Sequence, residues 1–268
     1  MDRFLLKNII IIILVLVNLF LAASLLMRQN SVVHSRRQVE TQLTELFAAD
    51  GMTLEKNAFS RKSPPSSFVL SRSLQRERDA AVFFLGSSLI QEDQGGGTYT
   101  YTGDSGVARF RTGGAFEIAG TFATNSPETF FRSFCKTFSY ETLTMDFQEN
   151  GTGSAVAIPL CNDLPVFNCP VTFTANSNGL MTVSGTLLPL EGSSAVSETE
   201  PLSASAALIV FQNARRETGA VVSAVTELTL CYELQSTSAL TLAPSWCIKT
   251  DTKNYYVNCI TGAVTSEN

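Results

Sequence analysis

Six cysteines and a single histidine are the residues of this chain with the most chemistry open to them, and their placement closes off most of it. Cys135, Cys161, Cys169, Cys231, Cys247 and Cys259 form no C-x-x-C pair and His34 is their only imidazole company, so no zinc site is expected and no cofactor is implied. His34 also lies just beyond an apolar N-terminal run, which takes Ser-His and Cys-His pairs out of the folded body. Without a basic partner the cysteines read as core thiols or as disulfides. An even count in an exported chain permits pairing, and the nearest candidates are Cys161 with Cys169 across one loop and Cys247 with Cys259 across one hairpin. Spacing alone does not choose between those bonds and buried free thiols. Asp146, Asp163 and Asp251 are available for carboxylate chemistry, but each sits where a strand end or turn favours an acid anyway. Gly95-Gly96-Gly97 lacks the G-K-[ST] ending of a phosphate loop and reads as hairpin chemistry. The expectation is a chain that binds and does not catalyse.

Charge narrows the partners. A formal net charge of -5 over 268 residues, with no Lys/Arg cluster away from the first apolar run, gives no electrostatic footprint for nucleic acid. An apolar share of 44% is ample for a packed core.

Whatever the body binds must be held somewhere, and the N-terminus supplies the means. Ile9 to Leu26 reads IIIIILVLVNLFLAASLL, 18 uncharged residues, which at about 1.5 Å per residue nearly match a hydrocarbon core of roughly 30 Å. The expected organisation is a cytoplasmic head over 1–7, a transmembrane helix over 8–27 and an extracytoplasmic α+β body over 28–125 and 126–268. Arg3 and Lys7 precede the run while Arg28, Arg36 and Arg37 follow it, so the positive-inside rule does not orient it. The inside N-terminus rests on geometry, since so short a head cannot be a compartment of its own. A cleaved signal peptide is the rival, with Ala22-Ala23-Ser24 as small residues at the cut; the apolar run continues past them through Leu25 and Leu26. Asn18, Ala22 and Leu25 share one face of the helix, a stripe that could dock another transmembrane helix or could simply tolerate one amide.

Outside the membrane, Val39, Leu43, Leu46 and Phe47 repeat at helical spacing before Gly51, and a second amphipathic segment spans Leu74 to Phe84. TYTYT, VARFRT and AFEIAGTF, separated by glycine-rich turns, predict three antiparallel strands. Ser126-Pro127-Glu128 opens a helix carrying Phe130, Phe131, Phe134 and Phe138. LTMDFQ, SAVAIPL, VTFTAN and LMTVSGTLLPL predict two hairpins, the second turning at Asn178-Gly179. Gly192 to Pro201 reads as a polar loop, Ser203 caps a helix that ends at Gly219, and VTELTLCYELQ, LTLAPSWCIKTD and NYYVNCITGAV predict three closing strands. The fold class is α+β, with antiparallel sheets carrying helices on one face.

Three parts of the chain resemble the YycI/YycH-type membrane regulators of the essential cell-wall two-component system in low-GC Gram-positive bacteria. These are the opening MDRFLLKNIIIIILVLVNLFL, then Pro165-Val166-Phe167 before a strand hairpin, and Pro244-Ser245-Trp246-Cys247-Ile248 followed by Asp251, Tyr255-Tyr256-Val257-Asn258 and Thr261-Gly262. The closing pattern is also similar to PepSY-like modules of exported proteins. The resemblance implies a single-pass protein of the cell membrane that modulates a sensor histidine kinase through transmembrane and extracytoplasmic contacts, with a related YycH-type regulator as a further partner. The alternative it leaves open is an exported PepSY-like inhibitor acting on a protease or cell-wall hydrolase through a sheet edge.

Overall fold

The computed structural model describes residues 37–122, 126–189, 194–196, 199–236 and 240–267. The apolar run with Asn18, Ala22 and Leu25, and with it His34, lies outside these residues; among the described residues no helix is long and apolar enough to cross a membrane.

Among the described residues four α-helices form, most of them where the sequence supplies a cap or a stop. Helix α1 covers 37–49 and ends at Gly51, whose φ of +73° is a left-handed conformation that glycine adopts without steric cost. Ser73 caps α2 (Leu74–Leu85) by accepting from the Arg76 backbone N–H. Ser126 caps α3 (Pro127–Phe138), with proline in its first turn and Glu128 near its positive end, and Ser203 caps α4 (Ala204–Thr218). Of the four apolar residues expected to face inward from α1, Leu43 and Phe47 are buried, whereas Val39 stays 39% exposed, one turn too early to meet the sheet.

The strands build two sheets, and their order does not follow the chain. Strands β3 (Ile90–Asp93), β4 (Tyr99–Gly103), β5 (Gly106–Phe110), β6 (Ala115–Gly120), β7 (Tyr140–Phe147), β8 (Gly153–Cys161), β10 (Val171–Ala175) and β11 (Met181–Thr186) form an antiparallel sheet in the order β3-β4-β5-β6-β11-β10-β8-β7, with β9 (Leu164–Pro165) added to the end of β8. The other sheet runs β1 (Thr53–Leu54), β13 (Ala224–Gln235), β14 (Leu240–Thr250), β15 (Asn254–Asn258) and β16 (Val264–Ser266), with β2 (Ser67–Leu70) also paired to β14 and β12 (Ser194–Val196) to β2. The boundary expected between 125 and 126 separates no sheet, because β6 before it pairs with β11 after it over six residues from Ala115↔Thr186 to Gly120↔Met181. The larger sheet is therefore inserted between strands of the smaller one. Residues 194–196, expected to be loop, pair with β2. The short β1 runs parallel to β13, against an otherwise antiparallel architecture.

Each sheet buries one face under two helices. Over the larger sheet, Ala80, Ala81 and Phe84 of α2 and Phe131, Phe134 and Phe138 of α3 close on Ile118, Phe173 and Val183. The ring centroid of Phe134 lies 5.0 Å from that of Phe173, 4.9 Å from Tyr140 and 5.6 Å from Phe84, so one side chain touches both helices and two strands. Over the smaller sheet, Phe47 of α1 and Leu208 and Phe211 of α4 cover Leu230, Trp246, Ile248 and Val257, and the Trp246 indole donates to the Leu202 carbonyl at 2.9 Å. Phe134→Ala is expected to cost about 3–5 kcal/mol, the range for emptying a fully buried phenylalanine site. Leu143→Ala, at a 54% exposed position, should stay within about 0.5 kcal/mol; urea unfolding followed by circular dichroism separates the two.

Candidate functional site

A single segment ties the two sheets together. Asn162 and Asp163, with φ of +50° and +62°, make the tight turn that folds β9 back on β8, where Leu160 faces Pro165 and Cys161 faces Leu164. The chain then crosses to the other sheet: Val166 bridges Tyr232 in parallel, and the Phe167 N–H donates to the Tyr232 carbonyl at 3.1 Å. The Asn168 amide donates to the Leu234 carbonyl and accepts from the Leu234 N–H, both at 2.8 Å. The Phe167 ring stacks on Tyr256, 3.6 Å between centroids and 3° from parallel, over the sheet face opposite α1 and α4. Pro165-Val166-Phe167, singled out in sequence only by resemblance, is thus the link between the layers.

That link accounts for four of the cysteines. Cys161 and Cys169 flank the segment and share an apolar cluster with Val166, Tyr232 and Leu242. Cys231 and Cys247 lie with Tyr256 beneath Phe167. All six cysteines are buried free thiols. The expected Cys247–Cys259 pair is not made, and the reason is the pleat: Cys247 faces Phe167, whereas Cys259 points to the core under α1 and α4. The Cys161–Cys169 bond is also absent, although the two thiols belong to one cluster. Burial pushes Cys169 and Cys259 up to about 12 and Cys247 to about 11. Burial thus opposes formation of the thiolate, the form that acts as a nucleophile.

The acids considered for catalysis are separated and employed. Asp163 forms the β8–β9 turn, and Asp146 faces Ser154 on the exposed side of β7 and β8. Asp251 accepts from the backbone N–H groups of Ala224 and Ser223, which hold its carboxyl below the usual range. Among the described residues no group of three His, Cys, Asp or Glu side chains could hold a metal. Among the described residues the one buried carboxylate is Glu77, which was not singled out in the sequence; it takes two hydrogen bonds from the Arg72 guanidinium, at 2.6 and 2.9 Å, which neutralise it.

What remains free is surface. Among the described residues β7 pairs only with β8, so one edge of the larger sheet is open from Tyr140 to Phe147. A register shift between Thr142 and Thr144 leaves Leu143 as a bulged, exposed apolar residue on that edge. The sheet face away from α2 and α3 presents hydroxyl pairs, Thr172 and Thr174 beside Thr182 and Ser184, with Arg109 and Glu117 among them.

No protein-family profile matches the chain, and no curated protein matches it. Among solved structures it is similar to an uncharacterized protein from Eubacterium rectale, at 10% identity over 81% of this chain and 90% of that one, with a TM-score of 0.42. It is also similar to the C-terminal domain of YpeB from Bacillus megaterium, at 10% identity over 74% of this chain and 99% of that one, with a TM-score of 0.35. Likeness at this level assigns neither a fold family nor a role.

The thiol arrangement is directly checkable. Iodoacetamide at about pH 8 is expected to leave the folded protein unmodified, since all six thiols are buried and burial opposes their ionisation. After denaturation without reductant it should add to all six cysteines. Mass spectrometry showing only four additions, with Cys161 and Cys169 protected, would demonstrate that this pair oxidises.

Proposed function

We propose that the chain is a non-catalytic, membrane-anchored regulator of the YycI/YycH type with a PepSY-like outer body, and that it modulates a sensor histidine kinase. In this reading the N-terminus is cytoplasmic and the body stands outside the cell membrane. The observation that carries it is the uncharged run from Ile9 to Leu26, placed directly ahead of α1 in a chain whose cysteines and acids are spent on packing, turns and caps. A body without a reactive centre acts by contact. The stripe of Asn18, Ala22 and Leu25 is its contact within the bilayer, where a shared amide hydrogen bond is worth about 1 kcal/mol. A partner with two signalling states needs a differential of only about 1–3 kcal/mol to be biased usefully. A related YycH-type regulator would occupy the same complex.

A second reading follows from the open edge of β7. A free strand with an apolar residue at its bulge is a surface on which an extended segment of a protease or cell-wall hydrolase can pair, and that role needs no anchor. The bulge and the flanking Glu141 and Asp146 also blunt the edge against casual pairing, which weakens this reading relative to the first.

Crosslinking in native membranes followed by identification of the captured protein tests both. Under the first reading a histidine kinase is recovered, its yield falls several-fold in the Asn18→Leu, Ala22→Leu double variant, and Leu143→Lys has no effect. Recovery of a secreted hydrolase, lost with Leu143→Lys and indifferent to the membrane substitutions, would replace the first reading with the second.

A further inference from the structure

We propose that the cavity between the start of α2 and the junction of the two sheets binds a small carboxylate carried on an apolar body. The cavity measures about 180 Å³ and takes walls from both layers. Leu70 at the end of β2 and Leu240 at the start of β14 come from the smaller sheet, while Arg72, Arg76 and the Thr112-Gly113-Gly114 turn come from the side of the larger one. Junctions of this kind are where small-molecule sites concentrate, and the volume is below the roughly 300–1,000 Å³ of sites for drug-sized ligands. Its occupant must be small.

The charges on the walls do not cancel. Arg72 is committed: it grips Glu77 with two hydrogen bonds, reaches the Gly97 and Phe110 carbonyls and lies over the Tyr99 ring at 5.0 Å. Glu77 is equally committed to Arg72. Arg76 is not. Its Nη2 donates to the Phe138 carbonyl at 3.1 Å and its guanidinium lies 5.8 Å from the Phe138 ring, but no described carboxylate pairs with it, and its Nε–H is buried without an acceptor. A buried donor left unpaired is costly, and a cation beside apolar walls costs more, so such a group signals an acceptor that belongs there. One uncompensated positive charge calls for one negative charge. A dianion would leave its second charge facing Glu77 and the apolar walls of Leu70, Leu187, Pro189 and Leu240. A carboxylate matches the guanidinium fork, and an aliphatic body of a few carbons matches the rest of the walls.

Two sources carry that chemistry: a free short-chain acid, or the C-terminal carboxylate of an apolar peptide. The inference is independent of the kinase reading, since it rests only on described residues of the body.

The test is calorimetric titration of the full chain in detergent with sodium hexanoate and with N-acetyl-leucine, against hexanoate methyl ester and inorganic phosphate. Binding of either carboxylate, with neither the ester nor phosphate binding, supports the site, and the tighter of the two names the source. Arg76→Gln is expected to weaken that binding at least about tenfold, whereas Arg78→Gln, an exposed arginine on the same helix, leaves it unchanged. Should Arg76→Gln fail to fold, Leu240→Phe fills the cavity and keeps the charge, and the expected result is the same loss. No binding of either acid to the folded wild type overturns the proposal, as does preference for phosphate or equal binding by both cavity variants.

Discussion

The arrangement of the whole body depends on the peptide from Leu164 to Cys169, which is hydrogen-bonded to one sheet at its start and to the other at its end. Each sheet already has its own helices and its own core, and the layers meet through a third apolar cluster, in which Cys161, Cys169 and Leu188 pack with Leu70, Tyr232 and Leu242, and through this peptide's hydrogen bonds. Where the peptide leaves the larger sheet, the Phe167 N–H donates to the Tyr232 carbonyl, and the Asn168 side-chain amide exchanges two hydrogen bonds with the Leu234 backbone of β13. The Phe167 ring then seals the face of the smaller sheet that has no helix over it, at the Tyr256 position. Cys231, Cys247 and Ser245 are buried there despite lying opposite α1 and α4.

Burial of that second face explains the state of the thiols. A cysteine under an aromatic lid, with another sheet behind it, behaves as a small apolar residue whose ionisation is opposed by the loss of water. Cys231 is raised well above its ordinary value by this desolvation, with Cys247 and Cys259 as lesser contributors. The same principle sets the polar groups that do survive inside. Glu77 is held by Arg72 and the Asn258 amide by Glu233 at 2.7 Å, so these two interior polar groups have named partners. Arg76 Nε–H is buried without a partner, as are Arg215 Nε, the Gln212 Oε1 and the hydroxyls of Tyr101 and Ser245, and of these residues Arg76 lines the cavity between the layers.

Local structure was legible in the sequence because local signals encode it. Ser126-Pro127-Glu128, Ser203 and Gly219, Asn178-Gly179 and the alternation of VARFRT each act over a few residues, and each marks the element it predicts. Pairing between distant strands has no such signature. Nothing in AFEIAG or MTVSGT says that they are neighbours, which is why the division at residue 125 looked natural and the pairing of β6 with β11 did not. The two-residue β1 and the three-residue β12 are too short to show a period at all. Cys247 and Cys259 looked like a hairpin pair because the count along the chain ignores the alternation of faces: Cys247 lies opposite Tyr256, and Cys259, an odd number of residues beyond it, points the other way. The candidate site was hidden for a related reason. Arg76 and Glu77 fall within the amphipathic segment from Leu74 to Phe84 and Arg72 just before it, and only the tertiary arrangement shows that Arg72 is consumed by the glutamate and Arg76 is not.

A body built this way has a definite route from a small ligand to a large surface. The cavity's walls belong to different sheets, so its width depends on the separation of the layers there. Leu70 and Leu240 are paired to each other across β2 and β14 and therefore move together, whereas Arg76 is carried on α2 with the larger sheet. An occupant that touches both sides is sensitive to their spacing in a way that no contact within one layer can be. By linkage, whatever occupant prefers one spacing shifts the body toward it, and any partner that grips surfaces on both sheets reads the same coordinate.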